Sequence, residues 1–449
     1  MNTKRCFSVN RLVTVIPLLV LAFSLNLRAA SDWKPAQGPL MTRWAKDVKP
    51  KNTLPEYPRP QMVRKVWQNL NGLWDYAIVE KAAPQPTSWD GRILVPFPIE
   101  SALSGVMKPV SEQQRLWYRR AFQVPRGWKG QQVLLHFGAV DWEAVVYVNG
   151  KEVGSHTGGY DGFSFNITGA LKPSGEQEIV VAVWDPTDAG YQARGKQVRQ
   201  PNGIWYTPSS GIWQTAWIEP VPAAHISKLR ITPDLDHQCV RVAAEVAGEA
   251  GDTGINVEVT DKGRVLASNS GKPGAEIVVP VADAKLWSPD APSLYGLNGM
   301  LGKEQDSVTS YFGMRKIAMA KDEKGILRLC LNNKPLFQFG PLDQGFWPDG
   351  LYTAPTDEAL RYDIEITKAL GFNMARKHVK VEPARWYYWC DKLGLLVWQD
   401  MPSGNFGGKD DQRRSDEASA QYELELKRMM EGLGNHPCIV MWVPFNEGW

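Results

Sequence analysis

Residues 371–400, GFNMARKHVKVEPARWYYWCDKLGLLVWQD, decide how this chain folds. GFNMARK reads as a short strand. EPARWYYWCDKLG reads as a helix, with Pro383 near its start and Gly394 just past its end. LLVWQD is a second strand, apolar on both faces, as in a parallel sheet covered by helices. The alternation continues outward. KPLFQFG (334–340) is an expected strand, and TDEALRYDIEITKAL (356–370) a helix capped by Thr356 with acids in its first turn. Downstream, EASAQYELELKRMMEGLG (417–434) reads as a helix and CIVMWVPFN (438–446) as a strand. Four such strands over 319–449 amount to the first half of a (β/α)8 TIM barrel.

Upstream the period changes. Between about 66 and 220, runs such as LWDYAI, RLWYRRAFQV, AVVYVNGKEVG and QEIVVAVW alternate apolar and polar residues and are separated by turns. Asn149-Gly150 is a two-residue hairpin signal. Many short strands without helices predict an antiparallel jelly-roll β-sandwich, assigned to 31–221. Its first thirty residues, rich in Pro and Trp, are expected to lie along that domain as an extended arm. VPAAH (221–225) punctuates the chain. Regularly spaced strands return over 222–318 and suit an immunoglobulin-like β-sandwich. The fold class is therefore multidomain β plus α/β.

The chain has 449 residues, 43% hydrophobic and 22% charged, which suits a soluble globular protein of several domains. Lys4, Arg5, Arg11 and Arg28 lie in a first thirty residues free of acids, and without them the formal charge falls from +3 to −1. Nothing in that balance favours nucleic acid or an anionic membrane as partner. The charged start, the apolar LVTVIPLLVLAFSL and the small residues of LRAAS form an expected export signal over 1–30, and so a periplasmic or extracellular protein. A membrane anchor is the alternative, but the stretch is shorter than the ~20 residues a span needs. Cys239, Cys330, Cys390 and Cys438 are widely spaced, which favours buried free thiols over a disulfide framework.

P-loop, GxGxxG, HExxH and GxSxG motifs are absent, and no two of the six histidines have metal-ligand spacing. No cofactor and no metal site are expected. His136 and His225 read as structural, and the sequon at Asn166 falls in a strand. In a barrel of this kind the reacting groups stand at the carboxyl ends of the strands. Those ends carry Asp343, then Arg376 and His378, then Asp400, then Asn446 and Glu447. Each has an ordinary structural reading alone, whereas the set of six points to a site.

NHPCIVMWVPFNEGW (435–449) resembles the acid/base segment of glycoside hydrolase family 2, which runs N-H-P-S-[IV]-x-x-W-x-x-x-N-E. WYRRAF, VNGKEVGSHTGGYDGFSFNIT and SGIWQTAWIE are similar to jelly-roll signatures of that family, and 371–400 is similar to its second and third barrel units. The resemblance implies a retaining β-glycosidase acting on β-linked oligosaccharides or glycoconjugates. It implies Glu447 as general acid/base, Asn446 on the sugar 2-hydroxyl, and Arg376 and His378 lining the sugar site with Asp343 and Asp400. It further implies Asp161, from the loop after GGY, at the barrel mouth; Trp449, beside Glu447, is the tryptophan expected at the pocket. Where many members read R-x-S-H-[YN]-P, this chain has RKHVKVEP, and FGPLDQGFW replaces a His-rich segment. The resemblance therefore leaves the sugar undecided. It places the nucleophilic glutamate near strand seven, so the sequence is expected to be an inactive fragment. A non-catalytic carbohydrate-binding protein built on the two β-sandwiches is the alternative. Carbohydrate is the expected partner on either reading, and self-association into a homo-oligomer is left open.

Overall fold

A computed structural model describes residues 1–3, 33–38, 40–303, 305–403 and 415–447. The expected export signal and Trp449 lie outside the described residues. Residues 68–221 form two antiparallel sheets face to face. The larger has the order Gly91–Val95, Gly72–Glu80, Gln114–Phe122, Gln177–Trp184, Glu143–Val148, Lys151–Thr157. The smaller is built from Gln68–Asn69, Ala216–Val221, Gln132–Phe137 and Phe163–Asn166. Glu143–Val148 alternates half-buried and buried positions, so Ala144, Val146 and Val148 enter the core beside Trp74, Tyr118 and Phe137. Asn149 and Gly150 take φ of 52° and 80° at the predicted hairpin, the left-handed backbone that Asn and Gly tolerate.

The second sandwich packs His225–Asp234, Cys239–Ala247 and Glu276–Pro280 against a four-stranded sheet. One of those four, Tyr295–Leu301, escaped the sequence reading. Its glycines mask a regular alternation in which Tyr295, Leu297 and Leu301 are buried. A Cβ at Gly296 would stand 2.4 Å from Thr260 Oγ1, so close strand approach requires the glycine.

The last region holds a parallel sheet of β1 (Leu342–Asp343), β2 (Met374–Lys377), β3 (Leu396–Asp400) and β4 (Ile439–Val443). Helices α1 (Asp357–Ala369), α2 (Ala384–Leu393) and α3 (Asp416–Leu433) alternate with them. Thr356 caps α1 by accepting from Ala359 N–H, and Gly394 ends α2 at φ 77°. The expected first strand is corrected. Lys334–Pro335 pairs instead with Leu327–Leu331 in a small antiparallel sheet, and the ladder with β2 begins only at Leu342. Asn373 bridges the gap, its Nδ2 donating to the Phe337 carbonyl and its Oδ1 accepting from Phe339 N–H.

The arm is also corrected, because it does not stay on the first sandwich. Thr42 donates to Asp349, and Trp44 packs edge-on to Trp347 beside the barrel. Further along, Asn69 and Asn71 hold the carbonyls of Thr53 and Leu54, and Val63 pairs with Thr309 in the second sandwich. Arg64 is buried against Asp306. Cys239, Cys330, Cys390 and Cys438 are buried free thiols. Among the described residues no helix is long and apolar enough to cross a membrane.

Candidate active site

The carboxyl ends of β2, β3 and β4 converge on Arg376. Its Nε and Nη2 donate to the two oxygens of Asp400 at 2.9 and 2.8 Å, and Nη2 also donates to Asn446 Oδ1 at 2.9 Å. Alternation along β2 puts His378 on the same face, where its Nδ1 lies 2.9 Å from Asp400 Oδ2. Asp400 is fully buried, and such a carboxylate persists only if matched by donors. The two-pronged guanidinium contact supplies the match and fixes the geometry. Both Asp400 oxygens are therefore occupied.

Glu447 follows Asn446 directly and is exposed. Its φ is 54°, a left-handed conformation sparsely populated by residues other than glycine. Val379, next to His378, has φ 46°, rarer still for a β-branched residue. Backbone strain of this kind gathers where a site dictates side-chain direction.

Asp343 stands apart from this cluster. It accepts from Lys377 Nζ at 2.6 Å and from Gly345 N–H. Burial raises its pKa, but the Lys377 ammonium, together with Lys380 and the Gly345 N–H, holds the carboxyl below its ordinary range. Lys377 points the other way from Arg376, as its odd position on the strand requires, and its Nζ also meets Glu382 and the ring of Trp386 on α2. Asp161 is likewise not brought to the barrel mouth. It lies 3.3 Å from His156 Nε2 and 3.7 Å from Arg428 on α3. Arg376, His378, Asp400 and Asn446 are thus brought together, with Glu447 adjoining in the chain, and Asp343 and Asp161 are placed elsewhere.

A different jelly-roll loop, residues 186–209, reaches the barrel mouth. Gly195 packs so closely on Val379 that a Cβ there would stand 2.3 Å from its carbonyl oxygen. Tyr206 stacks on Phe346 at 4.3 Å, and Lys196 Nζ lies 5.2 Å from the centre of Trp205. Burial lowers the pKa of Lys196, and the Glu447 carboxylate opposes that shift. Sequence reasoning missed this loop. Its signal was length: a long aperiodic stretch inside a compact β-domain is most often functional. Among the described residues no group of three or more His, Cys, Asp or Glu could hold a metal ion.

Comparison with known proteins follows this architecture. Residues 67–212 match the glycosyl hydrolases family 2 sugar binding domain, 224–315 the glycosyl hydrolases family 2 domain, and 329–448 the family 2 TIM barrel domain. A β-galactosidase of Thermoanaerobacter pseudethanolicus is 29% identical over 348 residues, 74% of this chain and 44% of that protein. A β-glucuronidase of Bacteroides fragilis is 26% identical over 351 residues, 74% of this chain and 49% of its own length. The chain thus spans less than half of the length of these two relatives. Lactobacillus rhamnosus β-glucuronidase superposes with a TM-score of 0.72 at 22% identity, over 86% of this chain and 68% of that one, a likeness of fold. With three consecutive domains matched in the same order, the chain belongs to glycoside hydrolase family 2.

Proposed function

We propose that this chain contributes the acid/base half of an exported retaining β-glycosidase. The observation that carries the reading is Arg376, which ties Asp400 on β3 to Asn446 just past the end of β4 and so fixes the residue before Glu447. Glycoside hydrolysis needs a carboxylic acid to protonate the departing oxygen and, in retaining enzymes, a second carboxylate about 5–5.5 Å away. Glu447 takes the first role. Asn446 turns toward the sugar 2-hydroxyl, a contact that strengthens in the transition state. His378 and Arg376 form the wall beneath. Asp400 does not serve as nucleophile, because Arg376 and His378 occupy both its oxygens. The reading assigns that role to no described residue.

The names of the relatives, β-galactosidase and β-glucuronidase, support a β-linked glycoside as substrate. The basic, apolar start of the sequence supports export. The test is hydrolysis of aryl β-galactosides and β-glucuronides by the protein that contains this chain, followed by proton NMR of the first-formed sugar. Release of the β-anomer is expected. Release of the α-anomer, or no hydrolysis of any β-glycoside by that protein, overturns the reading.

A further inference from the structure

The sequence contains four Asn-Gly steps, at Asn71, Asn149, Asn202 and Asn298. Such a step can rearrange by itself. Glycine has no Cβ to hinder attack by its own backbone nitrogen on the preceding side-chain amide. The reaction needs a free side chain, a backbone able to bend into a five-membered ring, and water.

Three of the steps are held against it. Asn71 is buried. Its Nδ2 donates to the Thr53 carbonyl and to Thr215 Oγ1, and its Oδ1 accepts from Ala216 N–H. Asn149 is tied as firmly. Its Nδ2 donates to the Ala170 carbonyl and to Gln177 Oε1, and its Oδ1 accepts from Glu178 N–H. Asn298 lies in Tyr295–Leu301, which is laddered on both sides, so Gly299 cannot shift without opening the sheet.

Asn202 differs on each count. Residues 201–204 are exposed, at the tip of the loop that reaches the barrel mouth. The Asn202 side chain makes one hydrogen bond, from Nδ2 to the Gln200 carbonyl in the same turn. Among the described residues nothing donates to its Oδ1 and nothing accepts from Gly203 N–H. Gly203 has φ 56°, and a Cβ there would meet nothing within 4 Å, so the tip has room to move. Below the tip the loop is fixed: Tyr206 N–H donates to the Lys196 carbonyl, and Val198 N–H to the Tyr206 carbonyl.

We propose that Asn202 is a site of spontaneous deamidation. The Gly203 nitrogen loses its proton to base and attacks Asn202 Cγ. The bond from Cγ to the side-chain nitrogen breaks, and ammonia leaves. Water then opens the resulting succinimide at either carbonyl, giving aspartate, or isoaspartate with the main chain routed through the side chain. Either product adds a carboxylate to the loop that brings Lys196 to Glu447, and isoaspartate also lengthens that loop. The proposal does not depend on the acid/base role of Glu447.

The experiment follows the whole chain in mildly alkaline buffer, where more of the Gly203 amide is deprotonated. Samples are digested with an acid-stable protease and read by peptide mass spectrometry, and circular dichroism confirms that the chain stays folded. A parallel sample in urea exposes all four steps. In the folded chain, exchange of –NH₂ for –OH should run about tenfold or more faster at Asn202 than at Asn71, Asn149 or Asn298, which must first break hydrogen bonds or open a ladder. In urea the four rates should converge. Asn202→Gln, which would have to close a six-membered ring, should remove the signal from the folded chain. No conversion of Asn202 in the folded chain, or conversion no faster than at the other three, overturns the proposal.

Discussion

Two groups of buried acids in this molecule meet opposite fates. At the barrel mouth, Asp400 is fully buried and is gripped by Arg376, with His378 beside it. In the jelly roll, Glu100, Asp141 and Asp185 are equally withdrawn from water, but the partners found for them among the described residues are neutral. Ser210 N–H donates to Glu100, Ser210 Oγ and Thr187 N–H donate to Asp185, and Gln197 donates to Asp141. Burial pushes Glu100 up to about 8 and raises Asp141 and Asp185 as well, with Asp185 adding to the shift of Asp141. The same side-chain chemistry thus meets a cation in one place and only neutral donors in the other. The difference lies in the guanidinium. Only the barrel cluster presents permanent, oriented charge, and it is the one beside Glu447.

The sharpest way to break this contrast is to remove the cation. Arg376→Met should destabilise the barrel region by about 3 kcal/mol, because Asp400 is left buried and unmatched. The double variant Arg376→Met with Asp400→Asn should recover much of that loss. Urea unfolding followed by tryptophan fluorescence measures both, and an additive double variant would contradict the pairing.

A pH-dependent effect comes from the jelly roll. Glu100 has an ordinary pKa of 4.5 and a folded value of about 8. Between these limits the native state holds a proton that the unfolded chain has released. Stability from this group is therefore highest below pH 4.5, declines as pH rises to 8 and is flat above. The decline is at most about 1.4 kcal/mol per pH unit. Glu100→Gln should flatten it, as seen in unfolding free energies taken across that window. An unchanged profile would mean that Glu100 is ionised throughout.

Smaller still is Asn446→Ala. It removes one of the acceptors of Arg376 and should cost about 1 kcal/mol of stability. If Asn446 meets the sugar 2-hydroxyl as proposed, its effect on turnover should be far larger than that figure accounts for, since such a contact strengthens in the transition state. Equal losses in stability and in transition-state binding would reduce Asn446 to a structural role.

Most of the fold was legible because period and punctuation agreed. Thr356, Gly394 and Asn149-Gly150 each mark a boundary by a local rule, and each is found at that boundary. The first barrel strand was misplaced because apolar Leu336, Phe337 and Phe339 have the composition of a strand, while the backbone there pairs regularly with neither neighbour. Tyr295–Leu301 was missed because its glycines answer to a cross-strand contact, which no local pattern records. The strand-end rule found Arg376, His378, Asp400 and Asn446 together, since it follows from topology. It could not separate Arg376 from Asp343, whose polar partners belong to another face. Nor could it reveal Lys196, which is brought to Glu447 by tertiary packing of a distant loop.

The central claim is that Glu447 protonates the leaving group. The measurement that tests it most directly is the leaving-group dependence of Glu447→Gln in the proposed glycosidase. Substrates with poor, alkyl leaving groups depend on a donated proton, and general acid catalysis contributes about 10²–10⁴-fold for them. Activated aryl glycosides need little such help. The account predicts a loss of that size in kcat/KM for alkyl β-glycosides, with a much smaller loss in glycosylation by activated aryl ones. Equal losses on both substrate types would contradict it.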